Sequence, residues 1–271
     1  MVGSFTTLSP TEADMELLRS LAPREACSYL PDQEQQLEYR FIVGATPARY
    51  QRLIERGWRR FGYTFFRPAC RSCHRCRSLR VDVADFAPSK SQRRNLRRNE
   101  DVRVEIRRPM VSQRHLDLYN AYHRDMAERR DWPFRVMRRD DYIESYVAGY
   151  GRFGYEFAYI RAGKLIGVGL VDILPRGLSS VYFYHDPEWR SEGPGTFSVL
   201  KEIETARDRG RPYLYLGYWV AENSSMDYKA RFTPHEILRG YVEDDQPAEW
   251  VRPETFGDPS LLTETRVGYP V

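Results

Sequence analysis

Residues 67–99 place the tightest constraints on this chain. Arg67 and Pro68 lead into Cys70, Cys73 and Cys76, thiols repeated at two-residue gaps. Leu79, Arg80, Val81, Asp82 and Val83 then alternate as a short strand does, with Val81 and Val83 on one face. Ser89 with Gln92 three residues on forms a capping-box pair, which predicts a helix beginning there. In that helix Arg93 lies one turn from Arg97 and Arg94 one turn from Arg98, with Lys90 just ahead. Guanidinium groups on adjoining rows repel one another unless an anion lies across them, and no acidic residue occurs between Phe86 and Asn99 to relieve the repulsion. The stripe is either a solvated basic face at a helix end, which the macrodipole also favours, or a phosphate-binding surface. The absence of acidic partners favours phosphate.

A chain of 271 residues with 41% hydrophobic content can bury a substantial core, as one large domain or two small ones. Its formal charge is only +4, so the basicity matters because it is concentrated. The first nine residues lack the cation and apolar run of a secretory signal. No stretch approaches the roughly 20 apolar residues of a membrane span. The cysteines, three of the four crowded together, make a poor disulfide framework for this length. These features predict a reduced, cytoplasmic protein without a membrane partner.

Along the chain, residues 10–21 are expected to form a short helix through Leu17, Leu18 and Leu21, and Leu37 to Val43 a strand. Pro47 to Gly57 reads as a helix, and Trp58 to Phe66 as a strand delivering the chain to Cys70. Val102 to Ile106 alternates as a half-buried strand, and Ser112 can cap a helix carrying Leu116, Tyr119, Tyr122 and Met126. A short helix around residues 142–146 precedes a meander over 157–161, 165–173 and 179–185. Thr196 to Arg209 is a helix with Val199, Leu200 and Ile203 inward, followed by the apolar strand Tyr213 to Leu216, a helical turn at 224–228 and a last strand over 236–242.

Strands, a meander, a glycine turn, a helix and a buried strand follow one another as in an acyltransferase of the N-acetyltransferase (GNAT) type. The expected fold class is α+β, a mixed, largely antiparallel sheet flanked by helices, with a smaller cysteine-containing N-terminal region. Arg190, Gly193 and Gly195 even match the Arg-x-x-Gly-x-Gly turn that holds coenzyme A pyrophosphate at a helix N-terminus. Two residues oppose that cofactor. Glu192 sets a negative charge against phosphates, and Pro194 removes an N–H donor. The expected organisation is an N-terminal region over 1–100, an acyltransferase-like domain over 101–245 and a poorly ordered acidic, proline-rich tail over 246–271.

Several blocks together resemble the aminoacyl-tRNA–protein transferases of the N-end rule pathway. Phe66, Arg67, Pro68, Cys70, Cys73, Cys76, Arg80, Val81 and the run Ser89 to Arg94 are similar to the N-terminal half of that family, and Cys27, Tyr29, Leu30 and Pro31 fit it too. Phe183, Tyr184, Asp186, Pro187, Gly195, Thr196, the run Tyr213 to Trp219, then Met226, Tyr228, Lys229, Phe232 and Pro234 are similar to its C-terminal half. The chain departs from the family pattern at Glu192 to Pro194 and at Asn223 to Ser225. The short length and the Cys-x-x-Cys-x-x-Cys form resemble the bacterial leucyltransferase branch, with the arginyltransferases as relatives. The resemblance implies transfer of leucine, or else arginine, from charged tRNA to proteins with N-terminal Asp or Glu.

Such a transfer is aminolysis of an activated ester, so positioning and carbonyl polarisation matter more than a strong base. In a splayed-sheet transferase the ends of neighbouring strands face one cleft, which nominates Tyr184, His185 and Asp186 on one strand and Tyr215 and Tyr218 on the next as catalytic. Core packing is the competing reading for Tyr215, and a structural histidine for His185. Lys229, Arg231, Arg80 and Arg40 are candidates to hold the acceptor's carboxylate, Lys229 foremost because it stands in a family block. Lys90, Arg93, Arg94, Arg97 and Arg98 are the tRNA-binding candidates.

No cofactor is required for the transfer. Cys70, Cys73 and Cys76, with Cys27 as a distant fourth and His74 as a spare ligand, form a set for zinc or an iron–sulfur cluster in a structural or redox role, or else buried free thiols. Two other functional classes remain: an acetyl-CoA-dependent N-acetyltransferase, supported by the Arg190 turn, and a non-catalytic RNA-binding module, supported by residues 70–98.

Overall fold

The computed structural model describes residues 14–253. Strand β1 (Met15–Leu21) is followed by two short strands that pair with each other, β2 (Glu25–Ala26) and β3 (Glu34–Gln35), and then by β4 (Leu37–Val43). Thr46 caps helix α1 (Pro47–Glu55), its hydroxyl accepting from Arg49 N at 3.1 Å. The chain continues into β5 (Arg59–Phe61) and β6 (Thr64–Pro68), completing an antiparallel sheet of order β1-β4-β6-β5. Two expectations are corrected here. The segment with Leu17, Leu18 and Leu21 is a strand, because it pairs with β4 from Met15–Val43 to Leu21–Glu38. An irregularity between Glu16 and Leu18 breaks its alternation and imitates helical spacing. Residues 58–66 form a hairpin turning at Gly62 instead of one strand.

After the cysteines come β7 (Arg77–Asp82), α2 (Lys90–Arg98) and β8 (Arg103–Arg107). The capping box is complete: Gln92 N donates to Ser89 Oγ at 3.3 Å and Ser89 N donates to Gln92 Oε1 at 2.8 Å. Ser112 caps α3 (Gln113–Arg130), and α4 (Arg139–Tyr142) runs into a π-helical turn (Ile143–Val147). The meander is β9 (Gly154–Arg161), β10 (Lys164–Leu174) and β11 (Gly177–His185). A 3-10 turn (Pro187–Glu192) leads to α5 (Pro194–Asp208), β12 (Tyr213–Trp219), a second 3-10 turn (Asp227–Arg231), β13 (His235–Leu238) and β14 (Trp250–Val251).

The large sheet has the order β14-β13-β7-β12-β11-β10-β9-β8. All neighbours are antiparallel except β11 and β12, which run parallel because α5 crosses between them. This is the expected α+β arrangement, a mixed, largely antiparallel sheet flanked by helices. Strand β7 lies between β12 and β13, so residues on both sides of position 100 share one sheet. Residues 246–253 include β14, paired with β13; the rest of the expected tail, 254–271, lies outside the described residues.

Each face of the sheet carries a helix. Val199, Ile203 and Ala206 of α5 pack over Leu79, Val81, Leu178 and Leu214. Tyr50, Leu53 and Ile54 of α1 close over Trp58, Phe65 and Phe153. Burial of each such large apolar side chain contributes about 1.5–3 kcal/mol. The two sheets are pinned by an ion pair: Arg60 of β5 donates in a fork to Asp172 of β10, its Nε 2.9 Å from Oδ2, with both residues buried. Among the described residues no helix is long and apolar enough to cross a membrane.

Candidate active site

The parallel strands β11 and β12 pair only at their beginnings, through Gly177–Tyr213, Leu178–Leu214 and Ser179–Tyr215. Irregularities force them apart beyond that point. On β11 the register to β10 skips Val181, and on β12 the register to β7 shifts between Tyr215 and Gly217. The divergence strips Ser180 and Val181 of a neighbouring strand. The guanidinium of Arg59 enters the gap, its Nη2 donating to Ser180 O and, at 3.4 Å, to Val181 O.

Glu202 of α5 reaches the same region from above. It stands on the inward face between Val199 and Ala206 and is only 1% exposed. Its Oε1 accepts from Ser198 Oγ at 3.1 Å and Ser180 Oγ at 3.4 Å. Its Oε2 is buried without a hydrogen-bond partner among the described residues, and so is Nη1 of Arg59. Burial pushes the Glu202 carboxyl up to about 7, with the two serines and the Arg59 charge pulling the other way. Tyr228 lies within electrostatic reach of both Glu202 and Arg59, and burial pushes its hydroxyl up to about 12.

Tyr228 also lines an open cleft of about 370 Å³ between α2 and the N-terminus of α5. Arg94, Arg98, Arg190 and Arg231 border that cleft, with Gly193 and Thr196 at the helix start. Asn95 of α2 ties the two helices together, its Nδ2 donating to Glu192 O at 2.7 Å and Gly193 O at 3.0 Å. The two objections to an anion here are weakened by geometry. The carboxylate of Glu192 is drawn to Arg161 (2.7 and 2.9 Å), and Pro194 occupies the first helical position, where an N–H has no intrahelical partner to lose. Lys90, Arg93, Arg94, Arg97 and Arg98 are exposed, and among the described residues none of them makes an ion pair. Arg190 does, with Asp125.

The other nominated residues divide into those near the splay and those committed elsewhere. His185 ends the β11 arm with Nδ1 on Asp186 O at 2.8 Å and its ring against Tyr122, centroids 5.0 Å apart. Burial lowers its pKa, so the ring is neutral at pH 7 with Nε2 as the acceptor nitrogen. Asp186 caps the following 3-10 turn through Glu188 N and pairs with Arg114 and Lys164 at 3.3 Å. Tyr184 is buried in an aromatic cluster and shares a hydroxyl contact of 2.7 Å with Tyr142. Tyr215 lies in the core on the α1 side, its hydroxyl accepting from Gln51 and Arg80. Tyr218 donates to Phe66 O at 3.0 Å and to Gly57 O at 3.2 Å, binding β12 to the small sheet.

The acceptor-binding nominees are not brought together. Arg40 is buried in an ion pair with Asp244 and stacked on Trp58, and Arg80 pairs with Glu236 between Tyr213 and Trp250. Arg231 is exposed at the rim of the basic cleft. Lys229 turns inward, donating to Tyr218 O at 2.5 Å, and its ammonium is lowered to about 7 by burial and then by the Arg59 charge.

The four cysteines line one pocket of about 180 Å³ with His74, Tyr29 and Tyr218. Burial, and after it the other thiols, pushes the Cys76 thiol up to about 12. Among the described residues no three Cys, His, Asp or Glu side chains form a group that could hold a metal ion.

The sequence alone does not single out Arg59 and Glu202. Glu202 carries one signal, a carboxylate on the apolar face of a helix. Arg59 carries none, since the room for its guanidinium is left by Gly217, far along the chain.

Comparisons with known proteins bear on this site. The pattern "Arginine-tRNA-protein transferase, N terminus" matches residues 25–94 and "Arginine-tRNA-protein transferase, C terminus" matches residues 114–239. The aspartate/glutamate leucyltransferase of Campylobacter jejuni subsp. jejuni serotype O:6 is 42% identical over 219 residues, covering 81% of this chain and 92% of that protein. That of Helicobacter hepaticus is 36% identical over 236 residues, covering 87% and 98%. That of Methylobacterium nodulans is 36% identical over 260 residues, covering 92% and 100%. Among solved structures, L-PGS from Bacillus licheniformis aligns with 53% of this chain and 45% of that one at TM-score 0.41 and 12% identity, too distant to bear on function.

Proposed function

Since the chain belongs to the arginine-tRNA-protein transferase family, in its aspartate/glutamate leucyltransferase branch, we propose that it transfers leucine from leucyl-tRNA to the N-terminal α-amine of proteins beginning with Asp or Glu. In the cytoplasm such a leucine marks its carrier for N-end rule degradation. The amine nitrogen attacks the ester carbonyl carbon, the bond to the ribose oxygen breaks, and the amine's proton ends on that oxygen. The products are an amide and free tRNA.

The ester is already activated, and an α-amine with pKa about 7.7–8.0 is partly neutral near pH 7. Holding the two reactants together and polarising the carbonyl therefore supply most of what the enzyme must add.

The observation that carries this reading is the arginine-bordered cleft between α2 and the start of α5, which Tyr228 also lines. Arg94, Arg98, Arg190 and Arg231 suit the phosphates near a tRNA 3′ end, and Arg93 and Arg97 extend the stripe outward. Leucine is favoured over arginine because the relatives similar over most of this chain are named leucyltransferases.

The test presents separately labelled leucyl-, arginyl- and phenylalanyl-tRNA to peptides that differ only in residue one. Leucine should pass to Asp- and Glu-starting peptides and poorly to Asn or Gln. Preference for Lys- or Arg-starting peptides would reject the acceptor, and acetylation from acetyl-CoA without tRNA-dependent transfer would reject the reaction.

A further inference from the structure

Two complementary polar atoms are stranded in the same gap of the sheet. Arg59 Nη1 is a cationic donor and Glu202 Oε2 an anionic acceptor; both are buried, and among the described residues neither has a hydrogen-bond partner and no ion pair joins them. Leaving such groups unpaired costs about 1–3 kcal/mol each, more when they are charged. The rest of both side chains is held fast. Ser198 and Ser180 fix Glu202 through Oε1, and Ser180 O and Val181 O fix Arg59 through Nη2. The same β11 residue, Ser180, thus anchors both groups, by its hydroxyl and by its carbonyl.

We propose that Arg59 and Glu202 form the reaction centre of the transfer. Arg59 Nη1 donates to the carbonyl oxygen of the leucyl ester, and Glu202 Oε2 takes the proton of the attacking α-amine. The inference rests on the aminolysis reading above. As the nitrogen bonds to the carbonyl carbon, the electron pair of the C=O bond moves onto oxygen beside Arg59. When that pair returns, the bond to the ribose oxygen breaks and Glu202 hands its proton to the departing oxygen. Every atom and charge is accounted for without a further reactant. Tyr228 lines the basic cleft and interacts electrostatically with both Glu202 and Arg59, which links the pair to an ester bound in the cleft.

Few other groups blur the titration of this carboxyl. Arg59 faces it from β5, Tyr159 from β9 and Tyr228 from the second 3-10 turn. Burial holds both tyrosine hydroxyls above their usual range, so neither ionises near neutrality. Lys229 interacts electrostatically with Arg59 and titrates near the same pH, so its variant serves as the control.

The experiment measures kcat and KM for leucyl-tRNA and an Asp-starting peptide from pH 5.5 to 9. Glu202→Gln preserves the bonds to Ser180 and Ser198 but cannot accept a proton. It should lower kcat by about a hundredfold or more, leave both KM values within about twofold, and abolish the acid limb of the kcat profile. Arg59→Lys should lower kcat by about 10²–10³ with the limb retained. Lys229→Met should retain the limb as well. A limb that survives in Glu202→Gln, or that vanishes only in Lys229→Met, would overturn the proposal. Should Glu202→Gln fail to fold, Glu202→Asp decides: the carboxylate withdrawn by one methylene should keep a limb at reduced kcat, and wild-type kcat would refute the assignment. Absence of leucyl transfer by the wild type would instead refute the functional reading itself.

Discussion

Gly217 is what admits Arg59 into the sheet. Its φ is 75°, and a Cβ placed on it would lie 2.6 Å from Arg59 Nη1. Gly217→Ala therefore meets a backbone conformation costing about 1–3 kcal/mol for a side-chain-bearing residue and displaces the guanidinium from Ser180 O. Loss of stability in urea should accompany a drop in leucyl transfer of more than about tenfold. A fully active Gly217→Ala would show that the position of Arg59 is not needed.

The stripe on α2 predicts a salt dependence. Arg94→Ala with Arg98→Ala should flatten the log–log salt slope of tRNA binding by about two units. The fold should be untouched, since both residues are exposed and without ion pairs among the described residues. An unchanged slope would mean that the stripe faces only solvent.

Arg60 and Asp172 predict an effect on stability. Both are buried, and Arg60 also lies 4.8 Å over the Phe153 ring. Asp172→Ala leaves a buried guanidinium without its carboxylate and should cost about 3–5 kcal/mol. Replacing both residues by apolar ones of similar volume should recover part of that loss in equilibrium unfolding.

Lys229 predicts a slope in stability with pH. Its pKa is lowered to about 7 from 10.5, burial being the main cause. Between those values the unfolded chain binds the proton and the folded chain does not, so stability rises as pH increases from about 7 to 10.5. Lys229→Met removes that gain, whose upper limit is about 5 kcal/mol. Urea midpoints at pH 7 and pH 10 that move in parallel for wild type and variant would contradict it.

What could be read from the sequence was mostly local. Ser89 and Gln92 announced α2 because a capping box is satisfied within one turn. The order of the meander, α5 and β12 was legible because alternation and turn chemistry need no distant partner. The strand at Leu17 and Leu18 is not legible in the sequence because its state is decided by pairing with β4, not by its own spacing. Arg40 and Arg80 looked like ligand-binding cations, yet their partners Asp244 and Glu236 lie far along the chain and are invisible to local reasoning. Glu202 was in plain view. Its place between Val199 and Ala206 puts a carboxylate against the core, a position worth questioning in any amphipathic helix.

The location of β7 bears on how the protein is made. This strand is translated early, but its sheet partners are β12 and β13, as in Val81 against Leu214 and His235. A nascent chain on the ribosome must therefore keep β7, its buried Leu79 and Val81 included, unpaired until residues 213–238 have emerged. Pairings this remote in sequence form slowly. Ribosomes stalled before residue 213 should carry chains that holdase chaperones bind and proteases cut, and release beyond β13 should bring protection in a single late step.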